Sequence, residues 1–380
     1  MIIKNGKIFN EEEKFQIGDI HVKDGQISKI EYNGTDNANQ IDEEVIDAAG
    51  LYVIPGMVDI HFHGCVGHDF CDGTKEAFDA ITKYQAENGV TSISPATMTL
   101  SREELRKIFG AAGEYDNNSG STIRGITMEG PFVSLKKKGA QNGAYIHKPD
   151  VDFYREMQDL CGNLIKQVAV APEEDEDYAF TKEMSKETAI SVAHTTAGYD
   201  IASKAFAYGA NHVTHLFNAM PPYHHRDPGV IGAAFDDKKV FVELICDGVH
   251  IHPAVVRGMF AMFGADRICM ISDSMMATGM SDGDYSLGGQ AVKVCGKTAT
   301  LADGTIAGSA SNLHDCLKVA VKEMDIPLEE AVLACTKTPA RSLGIDKECG
   351  SIGVGRAADM VILNENLDIV RVFIHGKGIV

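Results

Sequence analysis

The chain has 380 residues, 44% hydrophobic and 23% charged, the balance of a soluble globular enzyme with room for one barrel-sized domain and a smaller one. Its 35 Lys and Arg against 54 Asp and Glu give a formal charge of −19. That excess excludes nucleic acid and anionic membranes as natural partners, and any phosphate on a ligand must be met by local cations.

Nine cysteines, odd in number, scattered and never spaced CxxC, point to reduced thiols rather than a disulfide framework or a zinc ribbon. The opening MIIKNGKIFN has no apolar signal region, and no later stretch reads as long and apolar enough to span a bilayer. These features predict a cytoplasmic protein.

From residue 1 to about residue 50, short alternating runs (IIKNGKIF, GDIHVKDGQISKIEY) are separated by Asn-Gly and Asp-Gly pairs that favour hairpin turns. Residues 346–380 have the same character. The expectation is a small β-sandwich built from both termini around a body at residues 51–345. Eight strand-like runs alternate with helix-like ones in that body: VDIHFHG, SISPAT, GITMEG, QVAVAPE, AISVAHT, HVTHLFN, FVELICDG and RICMISDS. Between the second and third, SREELRKIFGAA opens on a capping box, Ser101 with Glu104, and sets Leu105, Ile108, Phe109 and Ala112 on one face. The pattern predicts an α/β fold, a TIM-like (β/α)8 barrel, although a doubly wound open sheet has the same alternation.

Polar residues recur at the C-terminal ends of these runs, where barrel active sites are built. His61 and His63 share a strand face by period two and can grip one metal ion. Glu129 closes an apolar strand, where a carboxylate is costly unless paired or metal-bound. His194, His215 and Asp273 end three later runs. A lone histidine of this kind is more often a hydrogen-bonded structural group. Four histidines and two acids at matching strand ends indicate a metal centre, and imidazole with carboxylate suits Zn, Fe, Mn or Co better than Mg or Ca.

PGMVDIHFHG, MEGPF, AHTTAG, THLFNAMPP, CDGVH, SDSMMATG, GTIAGS, TPAR and GSIGVGRAADMVIL run through nearly the whole chain. With these motifs it resembles the amidohydrolase superfamily and, within it, the group of N-acetylglucosamine-6-phosphate deacetylases. The resemblance implies hydrolysis of the acetyl amide of a phosphorylated N-acetyl amino sugar, in amino-sugar catabolism, by a homodimer whose partner subunit contributes to the phosphate site. It implies that Glu129, His194 and His215 bind the principal divalent ion, Asp273 is the general acid/base, and His250 contacts the sugar. Asn218, Ala219 and Arg226 fall where sugar or phosphate is held, and Ala140 falls in the loop over the substrate. Glu129 replaces the carboxylated lysine common in the wider superfamily.

Two features depart from parts of that group. His61 and His63 are present, so one or two ions per subunit are expected, Zn or Fe first and Co or Mn next. Gln141 stands where the group often has a histidine that polarises the acetyl carbonyl; its amide N–H or a second ion can take that role. The Galacto epimer of the substrate, a cyclic amidase or purine aminohydrolase of the same superfamily, and a non-catalytic scaffold are the alternatives. Cys65 reads as a packing residue and the KKK run at 136–138 as a solvated turn. His212, opposite in strand parity to His215, is expected to point away from the site.

Overall fold

A computed structural model describes residues 1–32, 44–116 and 120–380. The sandwich expected over residues 1–50 therefore includes positions 33–43, which lie outside the described residues.

The body is built on eight strands: β1 (Met57–Asp59), β2 (Val90–Ile93), β3 (Ile126–Met128), β4 (Ile165–Val170), β5 (Ala189–Val192), β6 (His212–Val213), β7 (Phe241–Ile245) and β8 (Ile268–Ile271). All eight overlap the runs read from the sequence, although β1, β2 and β4 begin one or two residues earlier. β1 pairs with β2, and β3 through β8 pair in succession, every pair parallel. A parallel bridge between Ala96 and Thr127 joins β2 to β3. The ring closes just past β8 and β1, where the Asp273 N–H donates to the His61 carbonyl (3.0 Å) and the His63 N–H to the Ser274 carbonyl (2.7 Å).

One helix follows each strand: α1 (Lys75–Glu87), α2 (Arg102–Glu114), α3 (Val151–Leu160), α4 (Ala179–Met184), α5 (Tyr199–Ala207), α6 (Gly229–Asp236), α7 (Pro253–Phe263) and α8 (Leu313–Lys322). The capping box at α2 is formed in both directions, and its four apolar residues are buried. Parallel strands covered on both faces should be apolar throughout, and β3, β5 and β8 are buried at every position. One strand face packs under the helices through Val168, Ile190, Val213, Leu244 and Met270. The other contributes Val58, Ile60, Ile245, Cys269 and Ile271 to a cluster that meets Ala340, Leu343 and Ile345.

Both ends of the chain share a single mixed sheet. Its order runs Lys377–Gly378, Ile369–Ile374, Met360–Leu363, Tyr52–Pro55, Ile2–Phe9, Phe15–Lys23, Gln26–Tyr32, with Val45–Asp47 beside Ile2–Phe9. It curls back on itself, since the Ile27 N–H donates to the Arg356 carbonyl at 2.9 Å. Its apolar core includes Ile3, Ile8, Ile20, Val53, Met360, Ile362 and Phe373. Between β8 and α8 the chain makes a three-stranded antiparallel ribbon, Gly283–Leu287, Gln290–Cys295 and Thr298–Thr300, for which the sequence analysis named no element.

Candidate metal centre at the barrel mouth

Each β/α connection begins where a strand ends, so residues just past β1, β3, β5, β6 and β8 converge on one rim. His61, His63, Glu129, His194, His215 and Asp273 all lie there, and all are buried. His194, His215 and Asp273 have φ of +42°, +28° and +51°, left-handed values that non-glycine residues rarely adopt. Such backbone costs about 1–3 kcal/mol per residue and gathers at functional sites.

The six side chains form two touching groups of three, Glu129 with His194 and His215, and His61 with His63 and Asp273. In the first, Glu129 Oε1 is 3.1 Å from both His194 Nε2 and His215 Nε2, which are 3.1 Å from each other. Ligands about 2.0–2.1 Å from a tetrahedral ion sit about 3.3 Å apart. The donor set therefore fits one divalent cation. The His194 Nδ1–H donates to the Lys137 carbonyl at 2.9 Å, which turns the Nε2 lone pair inward.

In the second group, His63 Nε2 lies 3.4 Å from Asp273 Oδ1 and 3.4 Å from Glu129 Oε2. His61 Nε2 is 3.5 Å from Glu129 Oε1 and 3.9 Å from Asp273 Oδ1, and it is buried without a hydrogen-bond partner. Glu129 thus faces both groups, Oε1 toward His194, His215 and His61 and Oε2 toward His63. Burial opposes the charge on Glu129, yet His61, His194 and His215 outweigh it and hold the carboxyl well below the usual range. Burial likewise raises Asp273, but His63, His61 and His215 bring it down on balance. For His61 burial pulls the other way, and Glu243 and Glu129 push its pKa well above that of free imidazole.

These groups open into a cavity of about 370 Å³. Ala140, Gln141, Asn218, Ala219 and His250 line it, as the resemblance implies. Gln141 is held at both ends of its amide: the Thr99 N–H donates to Oε1 (2.7 Å) and Nε2 donates to Glu129 Oε2 (2.7 Å). The His250 Nδ1–H pairs with Asp247 Oδ2 at 2.7 Å, and the Ser309 hydroxyl donates to the same oxygen at 3.1 Å.

Arg226 is not brought to this cavity. It is exposed, lies against His225, and lines a separate shallow depression with Tyr199, Asp200 and Pro228. The cations at the cavity are Lys136 and Lys137, from the run read as a solvated turn. His212 also departs from its expectation: it is fully buried, with Nε2 3.5 Å from Glu243 Oε1. Parity was the wrong guide because the positive φ at His215 breaks the strand's alternation. Cys65 is a buried packing residue of the main core, as read.

Sequence reasoning missed the Thr305–Gly308 lining, Asp247 and Glu243. For Glu243 a signal was there, an acid inside the apolar run FVELI, the same anomaly that singled out Glu129.

A closed parallel barrel carrying histidines and carboxylates at its C-terminal rim defines a metal-dependent hydrolase class. The chain belongs to the amidohydrolase family, whose family model matches residues 52–379. Along nearly its whole length it is similar to the N-acetylglucosamine-6-phosphate deacetylase of Bacillus subtilis (strain 168), at 35% identity over 99% of this chain and 96% of that one. It is 27% identical to the N-acetylgalactosamine-6-phosphate deacetylase of Escherichia coli O157:H7, over 99% and 98% of the two chains. Its fold matches that of a Mycobacterium smegmatis N-acetyl-D-glucosamine-6-phosphate deacetylase mutant solved with N-acetyl-D-glucosamine-6-phosphate. The TM-score is 0.92 at 29% identity, covering 100% of this chain and 99% of that one.

Proposed function

We propose that this chain hydrolyses the acetyl amide of N-acetylglucosamine 6-phosphate to glucosamine 6-phosphate and acetate, in amino-sugar catabolism. The observation that carries the reading is the buried Glu129, His194 and His215 triangle beside Asp273 at the floor of a sugar-sized cavity. Likeness to deacetylases of this substrate along the whole chain supports the same substrate class.

Glu129, His194 and His215 would hold the principal cation, and His61 and His63 with Asp273 would hold a second, Zn or Fe in preference to Co or Mn. When bound there, a divalent ion would lower the pKa of water from 15.7 to about 7 and polarise a carbonyl. Asp273, kept ionised by its histidine neighbours, takes the proton of the attacking water and later delivers it to the departing sugar amine. One carboxylate serves as base and then acid, and the protons balance: acetate and a free amine leave. Asp247 fixes His250 so that its other ring nitrogen faces the cavity and the sugar hydroxyls. Asn218, Ala219 and the Thr305–Gly308 segment flank the sugar. Gln141 is committed to Glu129 and Thr99, so its amide is not free for the acetyl carbonyl; a second cation held by His61, His63 and Asp273 would supply that polarisation.

Lys136 and Lys137 supply positive charge at the cavity for the phosphate. Arg226, exposed and away from its own cavity, serves the phosphate only across a homodimer, the assembly the resemblance implies. The nine thiols are all free, in keeping with a cytoplasmic setting, and no helix among the described residues is long and apolar enough to cross a membrane.

Acetate release from N-acetyl sugars with and without a 6-phosphate tests the reading. Rapid turnover of the 6-phosphate of N-acetylglucosamine is expected. Faster turnover of the galacto epimer assigns that substrate instead, and release only from unphosphorylated amides overturns the phosphosugar reading.

A further inference from the structure

We infer that Glu243, on β7, is a positioning residue that sets His61 for metal ligation and ties the two ligand groups together. The inference rests on the reading that His61, His63 and Asp273 hold a second cation. Glu243 is wholly buried in the barrel and touches four groups. The His61 ring Nδ1 lies 2.9 Å from Oε2, and the His215 peptide N–H donates to that oxygen at 3.1 Å. Gln167 Nε2 donates to Oε1 at 2.6 Å, with His212 Nε2 3.5 Å from it.

An ionised carboxylate only accepts hydrogen bonds, so the His61 nitrogen facing it must carry a proton. That fixes the tautomer and leaves the Nε2 lone pair aimed at Glu129 Oε1 and Asp273 Oδ1, 3.5 and 3.9 Å away. His61 Nε2 is buried without a hydrogen-bond partner, and a cation held with His63 and Asp273 would satisfy it. The same Oε2 grips the peptide of His215, whose φ of +28° needs an external hold. One oxygen thus secures one ligand from each group. This is the carboxylate–histidine–metal arrangement that orients a ligand and raises its basicity.

The test compares zinc-loaded wild type and Glu243→Gln enzymes, dialysed against a graded series of chelator strengths with metal counted per chain. Gln keeps the volume and one acceptor oxygen for the His61 Nδ1–H, but it lacks the charge that raises the basicity of His61 as a ligand. Two ions are expected in wild type. In the variant, the ion at His61 should be lost at about 10- to 100-fold weaker chelation, and the ion at Glu129, His194 and His215 should shift less. Two ions of unchanged affinity in the variant overturn the role of Glu243 alone. One ion in wild type overturns the second-cation reading, and this inference with it. Should Glu243→Gln fail to fold, nitrogen NMR of histidine-labelled, zinc-loaded wild type decides, with His61 assigned by the resonance missing from His61→Asn. A protonated Nδ1 and an unprotonated, zinc-bound Nε2 are expected; the opposite tautomer overturns the inference.

Discussion

The terminal sheet and the barrel mouth solve opposite problems in one chain. The sheet closes over Ile3, Ile8, Ile20, Val53 and Ile362, all buried side chains without a polar atom to satisfy. The mouth buries four histidines and two carboxylates, and three of these residues have left-handed backbone. Apolar burial stabilises at about 25 cal/mol per Å², whereas a buried charge costs free energy until it is paired or bound to metal. The comparison teaches that stability is supplied away from the mouth, while the mouth carries strain and charge that a cation and substrate can use.

The largest expected effect breaks the mouth alone. Asp273→Asn should lower kcat by about 10²–10⁴-fold or more, because an amide cannot shuttle the proton. Its metal content at Glu129, His194 and His215 should persist. A variant with a tenth of wild-type kcat would reassign the acid/base, with His250 the next candidate.

Breaking the sheet should do the reverse. Ile8→Ala, at a fully buried position, should cost about 2–5 kcal/mol in urea unfolding and leave kcat of the folded enzyme unchanged. A fall in kcat with no fall in stability would show that the two regions are not separable.

A subtler difference appears with pH. Burial holds His212 at about 4, below the ordinary 6.5, so the folded chain keeps it neutral where the unfolded chain would protonate it. Its contribution is complete above about pH 6.5 and is lost as pH falls toward 4, at about 1.4 kcal/mol per pH unit. Between pH 6 and 5 His212→Asn should lose less stability than wild type by about that amount. Parallel stability curves for the two proteins would rule out His212 as the source.

The smallest effect calibrates the outer ring, which belongs to neither region. Ser101→Ala removes the cap of α2 and should cost about 1 kcal/mol, with metal content and KM unmoved. A change in KM would mean that α2 reports to the mouth through the Met98–Leu100 segment beside it.

How much was legible follows from the range of each signal. Strands and helices are periodic over neighbouring residues, so all eight barrel strands and the Ser101–Glu104 box could be read directly. His61, Glu129, His194, His215 and Asp273 stood out because each ends an apolar run, and the structure gathers them within reach of one another. The parity rule failed at His212 because alternation holds only along regular strand, and the chain leaves it at His215. The ribbon at 283–300 was missed because its short strands are joined by two-residue turns and half exposed, with a weak apolar pattern.

By itself, then, the sequence determined the β/α alternation, the acidic balance and the identity of the groups able to hold a metal, since these depend on local periodicity and side-chain chemistry. Only the tertiary structure decided that Lys137 offers its carbonyl to His194, that Gln141 is spent on Glu129, and that Arg226 lies outside its own cavity. It alone joined Glu243 to His61 across 182 residues. Such partners are set by closure of the ring of strands, which brings together strand ends that no period along the chain relates.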